Sequence, residues 1–512
     1  MKRICLVIFL FWTTAAFSQN KFLTTLADSN GGLFLKVKSS SDGCYLASGF
    51  DIILGPSIFS KIDSLGNVIF CKKININTAY NIVDFIEFNT NYFLLCNYSD
   101  SSFILELDFS GNFLSSTGIN TNPLSYFNSI ERYGNSFFLS GGIRGGLGQN
   151  IVLLNCDTNG VVISAKKAFN PFFKSNYVTI NIDDNDYYIT GNAYDSTSSS
   201  LNLFVAKGDT SGNIIWNKNF NLQCLGLVTA EKNLEGGIII ANTVQNTPGF
   251  LPTLINIDSN GVIIWTKTYS DSLETLVVKD IKPIENQGYI LTGTRNSWGS
   301  NQTIFLMRID QNGNPIWCRT FQGAWPNSDS GNQIIIAPDK GFVIVGSTTG
   351  FPISNSTSGF LIKTDSLGDL GCYQDTLSID TGSVLLNESV LTFTTSNIGV
   401  SYFNINAPTL TNETGNIICS PTLNVHDMGS QNILLYPNPV STFLKLQLNK
   451  AGIEKQSLNI YNFTGEIVFH KTIISTLLEL DFSNLPNGIY FYQLSNSENN
   501  FTKPKDSPVY EY

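Results

Sequence analysis

Histidine is almost missing from this chain: only His426 and His470 occur in 512 residues, and both lie outside the repeats described below. A histidine-based catalytic triad or a multi-histidine metal site within those repeats is thereby excluded. Charge is sparse as well. Asp, Glu, Lys and Arg make up 14% of residues, the formal net charge is -10 and no basic run occurs. Nucleic acid phosphates would meet repulsion here instead of a gain from counterion release, so no nucleic acid partner is expected. No apolar stretch reaches the roughly 20 residues of a membrane-spanning helix, so no transmembrane segment is expected. Nor does any 3.6-residue periodicity point to a helical solenoid.

What the chain does have is 42% hydrophobic and 12% aromatic content, that of a folded protein able to bury about two or three cores. It begins "MKRICLVIFLFWTTAAFSQ", with Lys2 and Arg3, an apolar run over residues 4–12 and an Ala16-Phe17-Ser18 ending. That pattern predicts a secretory signal peptide over residues 1–18, cut after Ser18. Cys5 leaves with it. The eight cysteines that remain (Cys44, Cys71, Cys96, Cys156, Cys224, Cys318, Cys372 and Cys419) are an even number in a route that permits disulfides, but their pairing is not fixed by sequence. Cys71 and Cys318 hold one register in different repeats and read as buried free thiols. Cys372 and Cys419 flank the end of the repeats and are placed to bridge.

Seven copies of one turn run through residues 62–372, among them "IDSLGNVIF", "IDSNGVIIW" and "TDSLGDLGC". The turn residues are Asp63 and Gly66, Asp108 and Gly111, Asp157 and Gly160, Asp209 and Gly212, Asp258 and Gly261, Asp310 and Gly313, and Asp365 and Gly368. The glycines stand 45 to 55 residues apart, in the range of four-stranded propeller blades. Asp first and Gly fourth suits a type I turn closed by a residue of positive φ, which joins adjacent antiparallel strands. About twenty residues before each turn stands a second repeated segment, such as "GCYLASGF" (43–50) or "GYILTGT" (288–294), short and apolar like a strand buried on both faces. The seventh turn lacks a strand after it, whereas "FLTTL" at 22–26 matches "WTKTY" at 265–269 and has no turn before it. The prediction is a seven-bladed, all-β propeller over residues 19–375, closed by the amino-terminal strand, with Phe22 beside the strand that ends at Asp365.

Trp216, Trp265, Trp317 and Phe70 hold the slot four residues after the turn glycine, replaced by Ser115 and Ser164 in the second and third copies. Read as packing residues, they wedge one blade against the next; read as a platform, they would stack flat ligands. Regular repetition beside a turn favours packing. Lys72, Lys166, Lys218, Lys267 and Arg319, two residues further on, are expected to lay their stems over that face, the alternative being a ring of charge for an anion.

Chemistry is harder to find. Asp183, Asp184 and Asp186 in "NIDDNDYYI" form the densest acidic cluster, read as a solvated turn ahead of a strand; a carboxylate pair in a cleft or a calcium loop are the sharper alternatives. The turn aspartates resemble elements of two enzyme families. In the sialidase Asp box, Asp and Gly stand two apart, against three here. Quinoprotein dehydrogenase propellers place Trp four residues after a turn glycine, as this chain does, with Asp one residue further back. In both families the motif is structural and lies away from the catalytic centre, so the likeness implies no activity. No catalytic residue, cofactor or metal ligand is assigned.

Residues 376–430, rich in Ser, Thr and Asn, read as a linker or small β extension. After them, alternating strands in 432–495 are punctuated by Pro437-Asn438-Pro439, Thr464-Gly465 and Pro486-Asn487-Gly488, the spacing of a small immunoglobulin-like β-sandwich. "YPNPV", then "LNIYNFTGEIV", then "DFSNLPNGIYFYQL" resemble the type A carboxyl-terminal sorting domain of proteins exported by the type IX secretion system of Bacteroidetes. The matching positions include Tyr436, Pro437, Asn438, Pro439, Gly465, Leu485, Gly488 and Tyr490, within a domain placed at 431–512. The resemblance implies passage through the periplasm, recognition by outer-membrane machinery and its sortase, and surface attachment or release. Family members close with a further strand ending basic and apolar. Here "SENNFTKPKDSPVYEY" carries Pro504 and Pro508 and ends acidic, so that strand is expected to be lost or displaced.

The reading is therefore of a secreted or surface-attached, non-enzymatic and monomeric propeller that binds an extracellular glycan or protein. The alternative is a propeller enzyme acting on glycans as a glycoside hydrolase or lyase.

Overall fold

The computed structural model describes residues 19–420 apart from short segments, and the strands between 433 and 496. Outside the described residues lie 1–18, 28–31, 52–54, 76–80, 99–100, 123, 144–150, 170–177, 184–185, 196–199, 210–212, 224–227, 247–248, 272–273, 297–298, 300, 325–326, 352, 404, 421–432, 437–442, 449–455, 462–466, 474, 476, 482–490 and 497–512. The signal peptide, Gly212 and Cys224 are among them. So are Asp184 of the acidic cluster and, in the sorting motif, Pro437, Asn438, Pro439, Gly465, Leu485, Gly488 and Tyr490.

The chain divides into two compact units, the first ending at Pro421. In that first unit, seven sheets of five strands succeed one another around a ring. Their innermost strands are Gly32–Ser39, Asn81–Phe88, Ser125–Tyr133, Val178–Asp183, Thr229–Lys232, Leu276–Ile284 and Ser330–Ile336; each packs beside the next, and the last returns to the first. The second strand of each blade is the repeated apolar segment. Gly288–Arg295, for example, is buried along nearly its whole length. Sheets stacked on both sides leave such a strand no wet face, which is why it reads as an apolar run without alternation.

The third and fourth strands meet at the Asp-Gly turn. Asp63 Oδ1 accepts from the backbone N-H of Leu65 and Asn67, both at 2.8 Å, while Asn67 Nδ2 donates to Oδ2 at 2.9 Å. Gly66 closes the turn at φ 94°, and the same bonds recur at Asp108 and Asp310.

The seventh turn leads to no fourth strand of its own. Phe22–Ala27 takes that place, antiparallel to Ile353–Lys363, with Phe22 opposite Lys363. Trp265 stands opposite Asn256, which like Lys363 lies two residues before its turn aspartate, so Phe22 occupies the aromatic slot. The amino-terminal closure of the ring is as the sequence indicates.

Residues 376–419, expected as a linker or small extension, are instead built into the seven sheets. Gln374–Thr376 adds a fifth strand to blade six, Asp380–Gly382 to blade five, Glu388–Ser389 to blade four and Thr394–Asn397 to blade three. Gly399–Phe403 then joins blade two, Thr409–Asn412 blade one and Thr414–Cys419 the amino-terminal strand of blade seven. The chain thus runs back around the rim as a belt, against the order in which the blades were laid down. Apolar residues anchor it between blades at a spacing of seven: Leu377, Val384, Leu391, Ile398 and Ile405 each pack on a different hydrophobic cluster. Seven extended residues span about 23 Å, one blade's share of the rim.

Cys372 and Cys419, at the belt's two ends, form a disulfide with Cα atoms 6.8 Å apart, while Cys44, Cys71, Cys96, Cys156 and Cys318 are buried thiols outside any disulfide. The bridge holds a short-stranded, mostly exposed segment on the rim as a closed loop. Cys372→Ser is expected to lower stability by about 2–4 kcal/mol and to make the belt, where Leu385 is 92% exposed, the first site of proteolysis. An unchanged urea midpoint and digestion pattern would show that the belt needs no clasp.

The second unit contains two three-stranded antiparallel sheets. One holds Ile433–Tyr436, Phe443–Leu448 and Leu477–Asp481; the other holds Ile467–Ile473, Gln456–Tyr461 and Phe491–Asn496. Leu458, Ile460 and Leu480 are buried in it.

Candidate functional site: the axial channel

The repeated second segment carries a glycine whose purpose lies in the strand inside it. A Cβ on Gly49 would fall 1.7 Å from Leu33 O, and one on Gly141 1.8 Å from Tyr126 O. That close approach accompanies a bulge in the inner strand, between Phe34 and Lys36 in blade one and between Phe127 and Ser129 in blade three. Blades six and seven bulge at the same register, at Lys279 and Asn332, opposite Gly293 and Gly346. A bulge inserts one residue and re-aims its side chain. Here it sets the register of the inner strands of blades one, three, six and seven.

Three residues beyond the bulge, one level of the channel is charged. Lys38, Glu131, Glu231 and Lys282 pair with Leu46, Phe138, Ile239 and Ile290, each three residues before the glycine or its Asn242 counterpart. Ile86 and Ile335 hold the same level in blades two and seven. All four charged side chains are ringed by protein yet only half-buried, as expected of groups lining a channel. Lys38 Nζ lies 3.0 Å from Asp84 Oδ1, and Lys282 bonds Glu231 and lies 3.7 Å from Asp280 Oδ2.

Burial and charge split the acids apart. Burial raises the Glu131 carboxyl above its usual range, against the pull of Lys38. Burial likewise raises Glu231, against Lys282. At Asp84 burial also opposes ionisation, but Lys38 and Lys36, with the Ile130 N-H, outweigh it and hold the carboxyl low. Three inner-strand side chains also latch neighbouring blades. Asp84 Oδ2 accepts from Ile130 N at 3.0 Å, Asp280 Oδ2 from Ile334 N at 3.0 Å, and Gln333 Oε1 from Val37 N at 2.6 Å. Sequence reasoning missed this level. Its signal was a charged residue 10 or 11 residues before the repeated segment's glycine, or Asn242 in blade five, visible only once the inner strands are aligned by their pairing.

The turn glycines, slot aromatics and cations singled out by sequence lie elsewhere, toward the rim. A Cβ on Gly66 would fall 2.6 Å from the Phe22 ring, and one on Gly368 2.4 Å from Trp317. Each slot aromatic therefore lies against the turn glycine of the next blade, and Trp216 and Trp265 donate from Nε1 to Ser259 O and Gln311 O there. In blade two, where Ser115 holds the slot, Thr117 lies against Gly160 instead. The cations are spent as well: Lys72 on Asn412 and Lys218 on Glu388, each in the belt strand of its own blade, and Lys267 on Asn314 and Arg319 on Leu367 O of the next turn. The aromatic contacts, with those of Lys267 and Arg319, hold blade to blade, and among the described residues they leave no ring of aromatic platforms. Asp183 and Asp186 are paired residues of adjacent antiparallel strands, and Asp186 bonds Lys207 at 2.8 Å. Among the described residues no group of three or more His, Cys, Asp or Glu side chains could hold a metal ion, and no helix is long and apolar enough to cross a membrane.

No curated protein is detectably similar to the chain. Solved structures are, among them the following two. A subtype N10 neuraminidase-like protein of A/little yellow-shouldered bat/Guatemala/060/2010 is 10% identical over 66% of this chain and 97% of its own, at a TM-score of 0.33. Prolyl oligopeptidase B from Galerina marginata is 13% identical over 71% and 51%, at a TM-score of 0.39. At such scores neither likeness carries an argument about this chain. Residues 434–504 match the family described as secretion system C-terminal sorting domain, which takes in the "YPNPV", "LNIYNFTGEIV" and "NLPNGIYFYQL" motifs. The chain is thus a seven-bladed β-propeller carrying the C-terminal sorting domain of the type IX secretion route, and it is secreted or attached at the cell surface.

Proposed function

We propose that the propeller is a non-enzymatic binding module, presented outside the cell to a glycan or protein ligand. The observation that supports this is the use made of the channel charges. Asp84, Asp280 and Glu231 are bonded to a lysine or to the backbone of the next blade, so the acids best placed for chemistry serve to close the ring. The sorting unit is read as an immunoglobulin-like sandwich whose two sheets enclose Leu458, Ile460 and Leu480, and as the part bound by the outer-membrane machinery and its sortase.

One observation favours a glycan-cleaving enzyme instead. Glu131 is raised and Asp84 lowered around the shared Lys38, the kind of split that assigns a general acid and a general base. The secreted protein, screened against bacterial and host polysaccharides and biofilm polymers with both retention and product release measured, separates the two. Retention without product is expected. Product formation that Glu131→Gln abolishes would replace the binding reading by the enzymatic one.

A further inference from the structure

Lysines set deep in this propeller come with a carboxylate. Lys38 has Asp84, Lys61 has Asp42, Lys73 has Asp51 and Glu413, Lys207 has Asp186, Lys282 has Glu231 and Lys363 has Asp339. Lys279 does not. It stands at the bulge of blade six's inner strand, and its ammonium donates to Ser330 Oγ at 2.8 Å and Asn332 Oδ1 at 2.9 Å, both neutral groups of blade seven. Those acceptors are themselves held. Ser330 Oγ is 2.8 Å from Thr294 Oγ1, and Asn332 Nδ2 donates to Phe34 O of blade one at 2.7 Å. The side chain is half-buried, so it is reached by solvent from the channel.

The arrangement is a fixed cradle with one charge and no counter-charge. An ammonium has three donors, of which two are used here. A cation held deep in protein without an anion is unfavourable by several kcal/mol unless something else neutralises it. We propose that Lys279 anchors an oxyanion subsite in the channel wall, which takes the carboxylate or sulfate group of a sugar or small acid. The third ammonium proton, and the proton of whichever of the Thr294 and Ser330 hydroxyls does not donate to the other, supply the donors.

Burial alone pulls this ammonium down to about 8. The ionisable groups on the elements packed against it are otherwise engaged. Asp280 and Lys282 of its own strand and Glu231 of blade five bond one another, Arg295 bonds Asp271, and burial pushes the Tyr289 phenol up to about 12. Lys232 of blade five is exposed. Anion binding therefore follows Lys279: it is strong where the amine is charged and fades as pH rises through its pKa.

The subsite is independent of whether the propeller turns over what it binds, because the probes are single sugars and the signal is the ammonium itself. In the full secreted chain with ¹³Cε-labelled lysine, the Lys279 resonance is assigned by its loss in Lys279→Met and titrated with glucuronate, glucose 6-sulfate and glucose. Glucuronate or glucose 6-sulfate should shift it, with affinity about tenfold weaker at pH 9 than at pH 7. For the variants, which lack that resonance, affinity for the same probes is read by calorimetry, and Lys279→Arg should retain binding at pH 9, since its guanidinium stays charged. A response to glucuronate assigns the subsite to carboxylates, and one to the sulfate ester alone assigns it to sulfated ligands. An equal response to glucose, no response to either acid, or undiminished affinity in Lys279→Met would overturn the proposal.

Discussion

Removal of residues 422–512 is expected to abolish appearance of the protein outside the cell and leave the propeller, folded, in the periplasm. The cut falls at the boundary between the two compact units, so the seven sheets and the belt that ends at Cys419 keep their contacts. What is lost is the unit that contains the sorting-domain match at 434–504. Immunoblots of periplasmic, surface and medium fractions read the outcome. Unchanged export of the truncated chain would mean that the sorting domain does not direct it.

Phe22→Ala is expected to destabilise the propeller by about 3–5 kcal/mol, the range for emptying a buried aromatic site. The ring is fully buried, 6.4 Å centroid to centroid from Tyr45, and lies against the turn glycine of blade one. Its strand is also the middle member between Ile353–Lys363 and Thr414–Cys419, so it joins the blades to the belt as well as the chain's beginning to its end. Phe22→Trp restores the residue that blades four, five and six carry in that slot and should be tolerated far better. Urea denaturation of both variants provides the measurement, and a loss below about 1 kcal/mol for Phe22→Ala would show that the seam is not held there.

How legible this architecture is from sequence depends on what each element buries. The Asp-Gly turns repeat because a bond pattern and a positive φ fix two residue types, and the second strands repeat because both faces are covered; hence blade number and closure could be read. The belt strands are two to six residues long with mostly exposed side chains, so they satisfy sheet edges through backbone bonds that impose little on composition. Their trace was the seven-residue spacing of Leu377, Val384, Leu391, Ile398 and Ile405, too sparse to stand out in a Ser- and Thr-rich stretch. The channel level was hidden for another reason. Lys38, Glu131, Glu231 and Lys282 differ in charge from blade to blade, and only their strand pairing, with a bulge in blades one, three and six, places them at one height.

The central claim is that an exported propeller is closed by a belt whose two ends are joined. Disulfide mapping of the secreted protein, alkylated under denaturing, non-reducing conditions and digested, tests it most directly. The account predicts one linked pair, Cys372 with Cys419, and alkylated thiols at Cys44, Cys71, Cys96, Cys156 and Cys318. Free thiols at Cys372 and Cys419, or either one linked to a different cysteine, would contradict it.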